Sequence, residues 1–175
     1  MRYNPSLSIS PSQLDTMDCR LRWYWQYQLG YRALHVNQSL SLGTGVHLGL
    51  EAYYGHKADP VQAFLIWADR QIAEINPTWR DDILTLQKVR ELGEAMLTGY
   101  VKHYAGRDAF DVIATEHTIM RPIPDPRTGE PSPYHLTVRL DGVIRDHKTE
   151  RLMSLEHKTY GRFDDSNFTR DHQFT

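Results

Sequence analysis

The chain has 175 residues, 40% of them hydrophobic and 24% charged, with a formal net charge of −2. That length and mix suit one globular domain able to bury its own core, and they exclude a run of about 18 apolar residues for a membrane span, a disordered polyelectrolyte and a globally basic nucleic-acid binder. Cys19 is the only cysteine, which excludes an intramolecular disulfide and a cysteine-only metal site within these residues; with no apolar signal segment at the start, the cytoplasm is the expected compartment.

Ser10-Pro11-Ser12-Gln13 predicts a helix start, with Ser at the N-cap, Pro at the first helical position and Gln at the reciprocal capping position. The helix expected there carries Leu14, Met17, Leu21 and Trp25 at helical spacing, with Arg20, Arg22 and Gln26 mostly elsewhere. Such a helix either packs by its apolar face or presents Arg and aromatic side chains to phosphates and bases. Residues 31–42 are polar and predict a loop. Gly43-Thr44-Gly45-Val46-His47 then leads into a helix with His47, Leu50, Glu51 and Tyr54 along one face, where His47 and Glu51 are surface neighbours. A histidine so placed is either packed, solvated or a ligand. Without a GKS or GKT ending, GTG is not a phosphate loop.

Asp59-Pro60-Val61-Gln62 repeats the capping grammar and predicts a helix to about Glu74. After Asn76-Pro77-Thr78 comes a longer helix, with Asp81 and Asp82 in its first turn. Its expected inward face is Leu84, Leu86, Val89, Leu92, Met96 and Tyr100, and Gly106 marks its end. From Phe110 to Ile123 the period changes to two, as in a strand, and Asp125 to Gly129 is a turn. The return strand carries Leu136, Val138 and Leu140 alternating with Thr137, Arg139 and Asp141. Residues 145–150 form a polar turn, and a short strand from Leu152 to Leu155 delivers Glu156-His157-Lys158. Asp171 to Thr175 resembles a helix just beginning. The reading is therefore α+β: residues 1–106 mainly helical, 107–160 an antiparallel β-meander, 161–175 the start of a further helix, in one domain spanning 1–175.

An acid-x-Lys pattern occurs twice, as Asp146-His147-Lys148-Thr149 and as Glu156-His157-Lys158-Thr159. The first lies in a polar turn, where its charges are solvated. The second ends an apolar strand, where side-chain directions are set and neighbouring strands supply rigidity. Along that strand Glu156 and Lys158 project together while His157 points away. Pairing with the preceding strand brings Asp141 beside Glu156. Two carboxylates, joined by the backbone carbonyl of His157, suit a hard divalent cation such as Mg²⁺ or Mn²⁺, and Lys158 suits a developing oxyanion or the orientation of an attacking water. The bland alternative is a cross-strand Asp/Glu/Lys surface network of little energetic weight.

The order of Ser10, Ser12, Leu14 and Cys19, then Gly43 and His47, then Asp141-Gly142-Val143-Ile144, then Glu156-His157-Lys158-Thr159 resembles the PD-(D/E)xK nuclease superfamily. Within it, the RecB-type exonuclease branch, with its CRISPR adaptation nucleases and related phage exonucleases, is the nearest likeness. The resemblance implies a restriction-endonuclease-like fold, with the active site on the meander. It adds His47 as a metal ligand beside Asp141, Glu156 and His157, and makes Lys158, Asp141 and Glu156 the catalytic set. Gln173 matches the Gln of a Q-x-x-x-Y helix whose Tyr would lie beyond Thr175, so the chain is expected to continue or to be completed by a protein partner. Gln173, Arg20, Arg22 and Tyr160 are the expected DNA contacts, and Glu116 is a minor ligand or a DNA-facing acid. Some relatives hold an iron–sulfur cluster with one N-terminal and three C-terminal cysteines. Cys19 matches the first, but no cluster can be assembled from the residues present, and Cys19 is expected to be a buried core thiol. The expected activity is Mg- or Mn-dependent hydrolysis of DNA, by an exonuclease on single strands or strand ends in recombination, repair or phage DNA metabolism. The alternative is a non-catalytic DNA-binding or assembly protein on the same fold.

Overall fold

The computed structural model describes residues 7–159. The expectations at Tyr160 and Gln173, and for a helix starting at Asp171, lie outside the described residues. Elements run β1 (Ser8–Ile9), α1 (Pro11–Thr16), α2 (Arg20–Trp23), a π-helical turn at Tyr24–Gln28, α3 (Gln38–His56), α4 (Pro60–Glu74), α5 (Arg80–Tyr104), β2 (Phe110–Pro124), β3 (Pro131–Asp146) and β4 (Leu152–Leu155). Helices followed by a sheet are what the alternating periods require, and the α+β expectation holds.

Local chemistry accounts for most boundaries. The Ser10 capping box forms in both directions, with the Gln13 amide donating to Ser10 Oγ at 3.2 Å and Gln13 Oε1 accepting from the Ser10 amide at 3.4 Å. Asp59 caps α4 by accepting from the amides of Val61 and Gln62. Helix α5 ends before Gly106, whose φ of +70° suits a residue without a side chain.

Two helical expectations are corrected. The helix expected to run on from Ser10 breaks after Thr16 and restarts at Arg20, with Cys19 at the N-cap, before widening into the π turn. Its supposed packing face is not sealed: Leu14, Leu21 and Trp25 are exposed, and so is Cys19, contrary to the expectation of a buried thiol. Helix α3 starts at Gln38 rather than near Gly43, because the Asn37 side chain accepts from the Leu40 amide and supplies a cap inside the expected loop. In α5 the buried positions are Asp82, Leu86, Val89, Gly93 and Leu97, whereas Leu84 and Leu92 are exposed. Leu86 and Val89 are buried and Met96 and Tyr100 pack against the core as expected, whereas Gly93 and Leu97 take the inward places assigned to Leu84 and Leu92.

Helices α3, α4 and α5 pack on one another around Val46 and Leu50, Phe64 and Ala68, and Val89 and Leu97. Phe64 sits between two glycines. A Cβ added at Gly45 would lie 2.6 Å from its ring, and one added at Gly93 would lie 2.1 Å from it. The small residues of α3 thus admit an aromatic ring from α4, and in this way the helix bearing His47 is seated on the core.

In the sheet, β3 pairs with β2 along one edge, antiparallel from Phe110↔Asp146 to Pro124↔Pro131. Its other edge takes β1 in parallel at Ser8↔His135 and Ile9↔Leu136, then β4 antiparallel from Gly142↔Leu155 to Arg145↔Leu152. The β2–β3–β4 meander is as expected; the parallel β1 is an addition, too short to show a period. Ser8 Oγ and Thr137 Oγ1, 2.5 Å apart, tie that edge together.

Asp82 joins the 31–37 segment to α5. It is 5% exposed, bonds His35 Nδ1 at 3.0 Å and accepts from the Val36 amide at 3.1 Å. The bonds from His35 and Val36 hold its carboxyl below the ordinary value of 3.8. A carboxyl depressed in the folded state contributes stability above the unfolded pKa and loses it as pH falls through the folded one. The thermal-melt difference between wild type and Asp82→Asn is therefore expected to be fully present near neutral pH and to shrink progressively below about pH 4. A difference independent of pH would refute this account.

Candidate active site

The sequence pairs Asp141 with Glu156 by strand register, and the register observed is that one. Gly142↔Leu155 is the last bridged pair of β3 and β4, which sets Asp141 opposite Glu156 one step further on. The two strands are then locked by the carboxylate itself, because the His157 amide donates to Asp141 Oδ2 at 2.7 Å. The other oxygen, Oδ1, faces His47 Nδ1 at 3.2 Å. One aspartate side chain thus joins β3, the segment after β4, and α3.

His47, Asp141, Glu156 and Lys158 line a single open cleft of about 570 Å³, together with Glu51, Glu116 and Arg139. Helix α3 lines one side of it, and β2, β3 and the segment that follows β4 supply the rest. His47 and Glu51 share a face of α3, as their four-residue spacing demands. The turn motif Asp146-His147-Lys148-Thr149 takes no part. Asp146 Oδ2 accepts from the Thr149 amide at 2.8 Å and its hydroxyl at 2.6 Å, a side-chain-to-backbone turn that uses the carboxylate locally.

The ionisation states follow from these contacts. The Asp141 hydrogen bond raises His47 above the ordinary imidazole value against the opposing effect of burial. Burial pulls Asp141 upward, but bonds from His47 and the His157 amide outweigh it and hold the carboxyl below the usual range. Glu116 is pushed up, first by burial and then by its neighbours Glu51 and Asp141, with Arg139 opposing. Acids crowd this cleft, and a cation is the chemistry that would relieve them.

His157 turns away from Glu156 and Lys158, as strand alternation predicts, into an aromatic nest. Its ring stacks on Tyr54 with centroids 5.7 Å apart and meets Tyr100 edge-on. Tyr100 Oη lies 3.3 Å from His157 Nε2 and 2.8 Å from Tyr54 Oη, and Tyr54 donates to Asp108 Oδ2 at 3.3 Å. Burial holds His157 below the ordinary imidazole value, and a neutral ring donating from Nε2 satisfies the whole relay from His157 through Tyr100 and Tyr54 to Asp108. Sequence reading missed Tyr100 and Asp108 as supports of the site, because they are remote in sequence and no spacing rule links them to Glu156.

The donors suit a hard divalent cation: imidazole from His47, carboxylates from Asp141 and Glu156, and the carbonyl oxygen of His157. Among the described residues no three His, Cys, Asp or Glu side chains converge tightly enough to hold an ion as they stand. His47 and Asp141 do meet; Glu156 shares their cleft. Of the expected DNA contacts, Arg20 and Arg22 lie on α2 and are not among the residues lining the cleft.

Glu116 emerges more strongly than its minor standing in the sequence suggested. Thr115↔Gly142 and His117↔Leu140 flank it, so it stands directly across from Asp141. Its φ of +51° is left-handed, a conformation that non-glycine residues rarely adopt. The Glu116 carboxylate is ion-paired with Arg139, which lies two residues before Asp141. That spacing was a readable signal, since residues i and i+2 share a strand face.

Among the described residues, no helix is long and apolar enough to cross a membrane. A comparison with curated proteins finds no match. The family model of the PD-(D/E)XK nuclease superfamily matches residues 8–174, from β1 through the cleft and beyond it. By that match and its α+β architecture, the chain belongs to the PD-(D/E)XK nuclease superfamily.

Proposed function

We propose that this protein is a divalent-metal-dependent deoxyribonuclease that hydrolyses phosphodiester bonds as an exonuclease on DNA strand ends, of the RecB type, with one nuclease domain over 1–175. The observation that carries this reading is the contact of His47 with Asp141 in a cleft shared with Glu156 and Lys158. Three elements far apart in sequence contribute to it, more than a surface ion network needs.

In this reading His47, Asp141, Glu156 and the backbone carbonyl of His157 hold Mg²⁺ or Mn²⁺, which supplies a Lewis acid and a water of lowered pKa when bound. The chain's own groups do the rest. Asp141 keeps its charge at neutral pH because its two oxygens are bonded. The Tyr54–Tyr100 relay seats the His157 ring, so the peptide presenting Glu156 and Lys158 is set against β3. Lys158 places a compact positive charge where the phosphate becomes pentavalent. Water oxygen bonds to phosphorus, the bond from phosphorus to the leaving sugar oxygen breaks, one proton leaves the water and one is taken up by the leaving oxygen. Arg20, Arg22, Tyr160 and Gln173 position the strand.

A labelled single-stranded oligonucleotide titrated with Mn²⁺ in the presence of the protein tests this. Shortening from an end is the expected result. A strand retarded but left full length would instead support a DNA-binding or assembly role on a nuclease fold, and neither shortening nor retardation would reject both.

A further inference from the structure

We propose that Arg139 is a phosphate-contact residue of the cleft, held in place by Glu116 until a nucleic-acid strand displaces that carboxylate. The proposal rests on the nuclease reading for the identity of the ligand, a phosphodiester strand, but not on cleavage.

Four observations lead to it. Arg139 and Asp141 sit two residues apart on β3, so both side chains leave the same face of the sheet, separated by roughly 6.6–6.8 Å of strand. Arg139 lines the cleft that also holds Lys158, so two cations border one trough. Its side chain is 66% exposed, whereas that of its partner Glu116 is 18% exposed. The guanidinium can therefore reach a ligand entering from solvent without any rearrangement of the sheet. Lastly, the left-handed φ of Glu116 occurs at the residue directly across from Asp141, and its carboxylate ends on Arg139.

Chemistry fixes the sign of the exchange. A guanidinium binds carboxylate and phosphate with the same planar fork of donors, so one can replace the other with little change in geometry. Glu116 is crowded by Glu51 and Asp141. Without Arg139 paired to it, the cleft would confront an incoming phosphate with uncompensated acid. With the pair formed, the charge of Glu116 is offset and Arg139 is already oriented. The phosphate next to the one beside Lys158 is the natural recipient, which makes Arg139 a determinant of strand register rather than of the chemical step.

If Arg139 served only as the structural counter-ion of Glu116, loss of either partner would act in the same direction. The exchange predicts opposite signs. Binding of a labelled single-stranded oligonucleotide is measured by fluorescence anisotropy in EDTA, over a series of salt concentrations, for the full chain. Arg139→Ala is expected to weaken binding by about tenfold, the worth of one charge-assisted contact, and to flatten the salt dependence by about 0.7 in slope. Glu116→Gln is expected to tighten binding several-fold in the wild-type background and by a clearly smaller factor in the Arg139→Ala background, where only repulsion is relieved, as a double-mutant cycle reads it. Where Arg139→Ala fails to fold by circular dichroism, Arg139→Gln keeps the stem and carries the same expectations. Arg139 variants that bind like wild type overturn the proposal. So does a Glu116→Gln gain of equal size in both backgrounds, which is general charge removal, and so does a wild-type protein that does not bind. A wild type that binds with these couplings yet never cuts leaves the proposal standing and defeats only the nuclease reading.

Discussion

Lys158→Ala is expected to slow phosphodiester cleavage by about 10²–10³-fold under single-turnover conditions, the usual consequence of removing one preorganised charge from a transition state. Mn²⁺ binding by calorimetry is expected to stay close to wild type, because the proposed ligands His47, Asp141 and Glu156 are untouched. The contrast matters more than the size of the loss. Asp141→Ala is expected to lose both, since Asp141 Oδ2 accepts from the His157 amide and Oδ1 faces His47, and its removal frees the strand and the helix from one another. Lys158→Arg is expected to recover little, because a broad guanidinium fork does not replace a compact ammonium at a single oxygen. Undiminished cleavage by Lys158→Ala and Asp141→Ala proteins would falsify the site assignment.

The largest expected effect on stability lies away from the cleft. Phe64 is fully buried and wedged between Gly45 of α3 and Gly93 of α5. Phe64→Ala is expected to destabilise the fold by about 3–5 kcal/mol, combining lost transfer free energy with the cavity left between three helices. For a chain of this length that corresponds to a fall in Tm of about 6–20 °C. Gly93→Ala should also destabilise, although alanine is the better helix former by about 1 kcal/mol. The added methyl would stand 2.1 Å from Phe64 Cζ, and overpacking of that severity outweighs the propensity gain. The pair supplies its own control: Phe64→Leu removes the ring that Gly93→Ala strikes, so the double variant is expected to lose less than the two single losses added together. Strict additivity, or a stabilised Gly93→Ala protein, would contradict the wedge. Because His47 lies two residues from Gly45, crowding the wedge there is also expected to reduce cleavage in the proposed reading, which a folded but less active Gly45→Ala protein would reveal.

Strand register is the part of the site that sequence reading captured. Alternation along Leu136 to Asp141, a polar turn and a short apolar run allow one economical hairpin, and in it Asp141 falls opposite Glu156. The same logic dismissed the Asp146 motif, which the structure finishes as a local turn. Where the prediction went wrong, long-range packing had decided. The segment after Ser10 has a helical period, yet it breaks at Cys19 and leaves Leu21 and Trp25 exposed, since periodicity records which residues could share a face and not whether anything covers it. Leu84 and Leu92 failed in the same way. The true inward stripe of α5 includes Gly93, which looks like an interruption in a helical pattern and acts as a socket for Phe64.

The sequence by itself determined the longer helices and the meander, the caps at Ser10 and Asp59, the superfamily signature and the facing of Glu156, Lys158 and His157, because each depends on chemistry within a few residues or on the two-residue period of a strand. Only the tertiary structure decided that His47 reaches Asp141, that Glu116 stands left-handed across from it with Arg139 attached, and that Tyr54, Tyr100 and Asp108 hold His157 from behind. Those contacts join α3, α5 and the sheet across tens of residues. Their existence depends on how closely three helices pack around Phe64 and on one strained residue in β2, neither of which leaves a periodic trace in the chain.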